Sequence, residues 1–589
     1  MSQEEVPGSD SGEAPKESKV ETAKRRSRHL RGTITETLAS GAQSFDQDDT
    51  HLLKFHGVYQ QENREERKAR RKEGLEGAHS FMVRVAMPGG ALTAEQYLAL
   101  DALADRWAGS SLRATSRQGI QFHGVLAGDL KAHIAAINAT LLTTLSACGD
   151  VGRNVMVSPA PLADPAYGIL RRIAREVAVQ LRPASRAYHE IWLDAEKVAT
   201  TEEKEEPFYG DTYLPRKFKT GITLASESTI DVWSDDCGLI ALIENGRLTG
   251  FDVVVGGGMG MTHRHADTVA RLADPLGFVG PEHAVATVKT VASIFRDHGN
   301  RADRRHARLK YLMEEWGIDR FREEFRRRIP FGLGPWRPFP KPEVRDYLGP
   351  HPQGDGKWFY GVFVESGRIA DRGPARFKTA LRAIVSRHCP GVIITPSQNV
   401  LLTGLDAAVL PHVERTLREH GVPTVDDLSA ARRYALACPA LPTCGLALAE
   451  AERLMPSLIA RLEAEIDALG LRHVPLTIRM TGCPNGCSRP YTADIAFVGR
   501  KADVYHIYVG GGLAGDRVAD LYAVDVSTAG ILDVLRPLLQ AWARERLEGE
   551  GLGDFHHRRS GRAEGRRRIT GEEKPLVSAP GPAGPKGTP

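Results

Sequence analysis

The chain of 589 residues has no apolar run approaching the roughly 18 residues that a membrane span requires. Its N-terminus, MSQEEVPGSDSGEAPKESKVETAKRRSRHLRG, lacks the apolar centre of a secretory signal, so a cytoplasmic protein is expected. One-sided charge is missing too. A net +4 at pH 7 is small for this length and excludes a molecule whose whole surface is built for nucleic acid. Cysteine is scarce and odd in number, seven residues, which in a reducing compartment argues against a disulfide framework. A dinucleotide fingerprint is also lacking. Gly258-Met259-Gly260-Met261-Thr262-His263 has no third glycine and no suitably spaced acidic residue after it, so no NAD(P) or flavin site is expected in this chain.

What remains is ordinary globular material, 41% hydrophobic and 26% charged, long enough for several domains with cores of their own. Both ends read as tails. The first 45 residues are rich in Glu, Lys, Ser and Arg, and residues 556–589 turn basic and then Pro/Gly-rich; neither buries enough apolar surface to offset its ordering entropy. The basic run Arg566 to Arg568 reads as solvated tail rather than a nucleic-acid contact.

Between the tails the chain echoes itself. TSRQGIQFHGV (115–125) resembles TPSQNVLLTGL (395–405), and GFDVVVGGGMG (250–260) resembles VYHIYVGGGLAG (504–515). Two echoes in the same order predict a duplicated α/β unit with pseudo-twofold symmetry. SFMVRVAMPGG, GITLASESTIDVW and WFYGVFVESGRI carry the short apolar runs of strands. ALTAEQYLALDALADRWA, AYGILRRIAREVAVQL and SLIARLEAEIDAL carry helical spacing.

Four of the cysteines form two pairs, Cys438 with Cys444 in ACPALPTCG and Cys483 with Cys487 in TGCPNGC. Cys148, Cys237 and Cys389 are scattered and read as small buried hydrophobes. The paired thiolates are the usual complement of a 4Fe-4S cluster. A structural zinc site competes, but its ligand pairs stand two to four residues apart, and the five-residue gap between Cys438 and Cys444 argues against it.

ACPALPTCGLALAEAERLMP and MTGCPNGCSRPYTADIAFVG resemble the cluster signature of the sirohaem-dependent sulfite and nitrite reductases. The resemblance extends through LLKFHGVYQQENREERK, LRATSRQGIQFHGV, GDVGRNV, EIWLDAEKVAT and YLPRKFKTGI, covering residues 45 to 555. It implies a duplicated α/β fold, with ferredoxin-like half-domains at 46–160 and 346–430. A sirohaem-binding repeat with the substrate lysines is expected at 161–345 and a cluster and sirohaem domain at 431–555. The cofactors implied are sirohaem and a 4Fe-4S cluster on Cys438, Cys444, Cys483 and Cys487, with Cys487 also reaching the sirohaem iron.

If LRATSRQGIQFHG is one strand, alternation puts Arg113, Arg117, Gln121 and His123 on one face, suited to the carboxylates of a macrocycle; Gln398 and Asn399 are their second-repeat counterparts. The resemblance maps four substrate cations onto Arg84, Arg153, Lys217 and Lys219. On composition alone these are a solvated basic edge. Family nitrite reductases carry Asn at the position of Lys219, so sulfite, reduced to sulfide with six electrons, is the expected substrate. Nitrite reduction, or electron transfer without catalysis, is the alternative. Tyr59 is present, but Val157 stands where some relatives have a cysteine cross-linked to that tyrosine, so no cross-link is expected. Electrons are expected from a partner, an NADPH flavoprotein subunit or a ferredoxin, with no membrane or nucleic acid involved.

Overall fold

The computed structural model describes residues 17–75, 77–184, 191–193, 196–199, 206–561, 567–571 and 573–577. The block 190–200 is described only in its two short strands, and Arg566 lies outside the described residues.

The segment 112–125 folds as two antiparallel strands, Leu112–Ala114 and Ile120–Val125, joined by a tight turn. The single strand expected there does not form, because Gln118 adopts φ +53° and reverses the chain. Arg113 and Gln121 become cross-strand partners on one face, while Arg117 is carried into the turn. The second echo is built the same way. Thr115 N donates to Gly119 O at 2.9 Å and Thr395 N to Asn399 O at 2.9 Å, and Gln398 repeats the turn at φ +67°.

These turns lie in two matching five-stranded sheets. The first runs Val58–Glu62, His79–Arg84, Ile120–Val125, Leu112–Ala114 and Arg368–Ile369; the second runs Gly349–Pro352, Trp358–Val362, Val400–Leu405, Gly391–Ile394 and Ala91–Leu92. Each sheet thus ends on a strand lent by the other half of the chain. The loans follow Gly90 at φ +75° and Gly367 at φ +75°. A Cβ on Gly90 would lie 2.3 Å from Ile394 O, and one on Gly367 2.4 Å from Ala114 O, so the crossing needs glycine at both places.

Two further five-stranded sheets match in order and sense. One runs Met156–Val157, Thr220–Leu224, Cys237–Glu244, Arg247–Val255 and Asp274–Val279; the other Leu436–Ala437, Ile478–Thr481, Ile495–Lys501, Val504–Val509 and Asp520–Ser527. In both, the first three strands are parallel and the last two antiparallel. The glycine echo falls at the end of the fourth strand in each copy.

The expected helices form as Ala94–Trp107, Pro165–Gln180 and Met455–Ala468. Thr93 and Gln96 close a capping box on the first; Asp164 caps the second, which has proline at its first position. The chain ends correct the tail reading within the described residues. Residues 17–45 hold the helices Lys19–Arg25 and Ile34–Ala39, with Val20, Ala23, Leu30 and Ile34 buried. At the other end Leu552–Ser560 is helical and Arg568–Thr570 pairs with Val269–Arg271. A few apolar residues spaced among charges suffice to dock such short elements.

Candidate active site

The cysteine pairs sit where two parallel strands of the last sheet end. Cys438 follows Leu436–Ala437, and Cys483 lies two residues beyond Thr481. All four thiols lie in one another's electrostatic field. Cys438 and Cys483 are buried, Cys444 is half-buried and Cys487 is exposed. Among the described residues, no three His, Cys, Asp or Glu side chains stand close enough to hold a single metal ion. Donors surround the sulfurs: Gly482 N reaches Cys438 Sγ at 3.3 Å and Asn485 Nδ2 reaches Cys483 Sγ at 3.4 Å. The backbone N–H groups of Leu446 and Ala447 point to Cys444. Burial, and then the neighbouring Cys487, pushes the Cys483 thiol up to about 12. Four convergent thiols, three of them with N–H donors, fit a bound positive core and its sulfurs.

The glycine run resembling a nucleotide loop buttresses this cysteine loop. Met261 N donates to Pro484 O at 2.8 Å, and a Cβ on Gly486, at φ +63°, would lie 2.5 Å from Met259 O. Lys310 donates to the carbonyls of Gly258, Gly260 and Val269 and holds the buttress from beneath.

The cationic residues come from the other three sheets. Arg84 ends its strand beside Gln121, whose amide oxygen accepts from Arg84 Nε at 3.0 Å, and Arg84 Nη1 reaches Cys148 Sγ at 3.1 Å. Arg153 donates to Ala147 O at 2.9 and 3.1 Å and its backbone N to Phe218 O at 2.8 Å, tying its loop to the segment carrying Lys217 and Lys219. Both lysines are half-buried just before the strand Thr220–Leu224. Burial, then Arg308 and Lys219, holds Lys217 well below the usual lysine range, while Cys487 acts on it in the opposite sense. Burial, then Arg117 and Arg308, lowers Lys219 to about 7. The structure therefore brings Lys217, Lys219, Arg117 and Arg308 together beside Cys487.

Other expected site residues have different surroundings. Arg113 is committed elsewhere: its Nε meets Glu452 Oε2 at 3.0 Å and its Nη2 donates to Ala437 O at 2.8 Å, so it joins the first sheet to the cysteine loop. Arg117 pairs with Asp235 at 2.7 Å and donates to Asn154 O at 2.8 Å. His123 Nδ1 lies 3.4 Å from Gln61 Oε1, and burial holds its ring neutral. Asn399 Oδ1 accepts from Val364 N at 3.0 Å.

Five buried polar atoms here have no partner: Arg117 Nε, His123 Nε2, Asp235 Oδ2, Gln398 Oε1 and Asn399 Nδ2. The orphaned donors Arg117 Nε and Asn399 Nδ2, beside half-buried cations, fit a polar, polyanionic ligand, whereas Asp235 Oδ2 and Gln398 Oε1 are acceptors and do not contribute to that fit. The residues present thus suit both a cluster and a carboxylate-rich macrocycle.

Several participants escaped the sequence reading. Arg489 lies two residues beyond Cys487, inside the motif already singled out. Its Nη1 donates to Ser116 O at 2.8 Å and its Nη2 to Pro396 O at 3.4 Å, gripping both turns, while Asp231 holds its Nε at 2.5 Å. Arg308 forks onto Asp236 at 2.8 and 2.9 Å. Cys148, read as an inert core residue, is the neighbour of Tyr59; burial, then Cys148, pushes that phenol up to about 12. Val157, the position weighed for a tyrosine partner, belongs instead to an edge strand, where its N–H donates to Gln118 Oε1 at 2.7 Å.

Convergent thiols beside a half-buried group of cations suit a redox protein with an iron–sulfur site. Residues 174–331 and 430–563 match the nitrite and sulphite reductase 4Fe-4S domain, and residues 73–140 and 351–420 the nitrite/sulfite reductase ferredoxin-like half domain. The sulfite reductase (NADPH) hemoprotein beta-component of Staphylococcus saprophyticus is 44% identical over 538 residues, 91% of this chain and 94% of that protein. The sulfite reductase (ferredoxin) of Synechococcus elongatus is 43% identical over 557 residues, 91% and 89% of the two. The Mycobacterium tuberculosis NirA protein superposes with a TM-score of 0.72 at 24% identity, over 91% of this chain and 94% of that one, and shares the fold. The chain belongs to the nitrite and sulphite reductase family.

Proposed function

We propose that this chain is an assimilatory sulfite reductase haemoprotein that reduces sulfite to sulfide with six electrons. One observation carries the reading: Ser116 Oγ donates to Cys487 O at 3.1 Å and Arg489 Nη1 to Ser116 O at 2.8 Å, while the next residue, Arg117, donates to Thr220 O at 3.2 Å beside Lys219, which supports reading the anion pocket and the cysteine loop as one site. The relatives named for sulfite reduction support the same substrate.

When bound here, sirohaem and the cluster would supply the redox chemistry that delivers electrons to the anion. The chain's own residues bind, orient and protonate. Arg84 and Arg153 hold the oxyanion through their planar guanidinium forks. Lys219, lowered to about 7, gives up a proton near neutral pH, as each departing oxygen requires before it leaves as water. Lys217, its ammonium disfavoured by burial and by Arg308 and Lys219, adds a second nitrogen donor beside Cys487. Cys438, Cys444, Cys483 and Cys487 would hold the cluster, with Cys487 shared with the haem iron. Arg117, Gln121, His123, Gln398 and Asn399 would meet the macrocycle rim, whereas Arg113 acts through Glu452.

Sulfite and an electron-donor protein are the partners, and we infer an NADPH-oxidising flavoprotein as the donor, in line with the Staphylococcus relative's name. Among the described residues no helix is long and apolar enough to cross a membrane. Anaerobic turnover of the holoprotein with sulfite and nitrite, each driven by reduced ferredoxin or by NADPH with its flavoprotein, tests the assignment. Faster sulfide formation with the flavoprotein is expected; ammonia from nitrite with no sulfide from sulfite would overturn it.

A further inference from the structure

The N-terminal helix Lys19–Arg25 carries a charge into the interior behind the anion pocket. The Lys24 side chain is 0% exposed. Its Nζ donates to Leu214 O at 2.8 Å and stands 2.5 Å from Glu21 Oε1 and 3.7 Å from Asp150 Oδ2. Burying an ammonium is costly, and burial accordingly lowers the Lys24 pKa; the position is tolerable only because two carboxylates and a carbonyl receive it.

Those partners are not general core. Leu214 lies three residues before Lys217, and Asp150 three residues before Arg153. The Leu214 N–H donates to Asp150 O at 3.0 Å, so Lys24 sits where the two cation-bearing segments are stitched together. Arg301 repeats the arrangement from the other side. It reaches Glu21 Oε2 at 2.5 Å and donates to Tyr213 O at 2.8 Å and Thr212 O at 3.3 Å, while Ser18 N donates to the Arg301 carbonyl at 3.1 Å. Arg304 forks onto Asp150 at 2.8 and 3.2 Å, and Arg216 stands 3.6 Å from it. Among the described residues, Lys24, Arg216, Arg301 and Arg304 pair with two carboxylates, Glu21 and Asp150, which leaves positive charge in excess next to the segment that carries Lys217 and Lys219.

We propose that Lys24 is a positioning residue of the sulfite site: from the N-terminal helix it fixes the 212–219 segment against the 147–154 loop, setting Lys217, Lys219 and Arg153 at the spacing that receives the anion. The proposal rests on the assignment of that pocket to sulfite. It gives the chain's N-terminal segment a part in substrate binding, although that segment contributes no group to the pocket itself.

The test uses holoprotein with its cofactor spectrum recorded, reduced methyl viologen as donor, and steady-state kinetics for sulfite. Lys24→Met is expected to lower kcat/KM about tenfold, chiefly through a raised KM, because the cations remain present but displaced. Lys24→Arg restores most of the loss, since a guanidinium reaches the same acceptors. Arg301→Met is expected to act in the same direction. The Lys24→Met/Arg301→Met double variant should lose less than the sum of the two in free energy, because both act on one segment. If Lys24→Met does not assemble, Arg301→Met carries the test alone. A lowered melting temperature with an unchanged sulfite KM in the assembled variants would show a purely structural tie and overturn the proposal, as would strict additivity. An inactive wild-type protein would instead refute the sulfite assignment.

Discussion

At the scale of the residue, Lys219 decides the most. Burial with Arg117 and Arg308 nearby lowers it to about 7, so its protonated fraction falls as the pH rises through neutrality. The kcat/KM for sulfite should therefore decline on the alkaline side, and Lys219→Arg should remove that limb from the pH profile because arginine stays charged. An unaltered limb would assign it to another group. Lys219→Asn should depress sulfite turnover more than nitrite turnover, by about tenfold or more in the ratio of the two kcat/KM values; equal losses would remove the specificity assigned to this position. The cysteine spacing and the company of glycine and proline point to a cluster from sequence alone. The roles proposed for Lys217 and Lys219 rest on resemblance, since two lysines at alternate positions describe any basic edge. Arg308, Arg489, Asp235 and Asp236 were not legible at all. The pairs Arg308–Asp236, Arg117–Asp235 and Arg489–Ser116 join residues 72, 118 and 373 positions apart in the chain, and no local pattern records such a pairing.

At the scale of the element, strand and helix existence followed the hydrophobic periods, while the hairpin at 112–125 did not. Period-two alternation cannot register a reversal whose only sign is one non-glycine residue at positive φ, here Gln118. That reversal separates Arg113 from Arg117 and gives them unlike tasks. Arg113 and the lent strand's Arg368 both close on Glu452, Arg368 Nε at 2.8 Å from Oε1 and Nη2 at 3.0 Å from Oε2. Glu452 N in turn donates to Cys438 O at 3.1 Å, so this clamp braces the cysteine loop. Burial opposes the Glu452 charge, but Arg368 and Arg113 outweigh it and hold the carboxyl at about 2, below its ordinary 4.5. The stabilisation from this depressed pKa is fully present above about pH 4.5 and is lost as the pH falls toward 2. Glu452→Gln should cost about 3–5 kcal/mol at neutral pH, leaving two guanidiniums without their counter-charge, and flatten the acid limb of stability measured by denaturant unfolding. Parallel acid limbs in variant and wild type would contradict the clamp.

At the scale of the molecule, duplication and exchange explain why chemistry distant in sequence meets in one place. Each half lends an edge strand to the other's sheet, which fixes the two turns at Thr115–Gly119 and Thr395–Asn399 near each other, and Arg489 joins both to the cysteine loop. The copies then specialise: the first presents Lys217 and Lys219 ahead of its second strand, the second presents cysteines after the equivalent ones. The duplication was legible from two echoes, whereas the strand exchange was not, because two-residue strands carry no period. Cys487→Ser, at the meeting point of the copies, should abolish sulfite turnover and alter the haem absorption; retained sirohaem bands with full turnover would contradict the shared-ligand role.

The most direct measurement is anaerobic titration of the purified holoprotein with reduced methyl viologen and sulfite, counting sulfide formed against electrons consumed while the visible spectrum is followed. Six electrons per sulfide from a protein bearing both sirohaem bands and iron–sulfur absorption is the predicted result. Iron–sulfur absorption alone with no sulfide produced would contradict it.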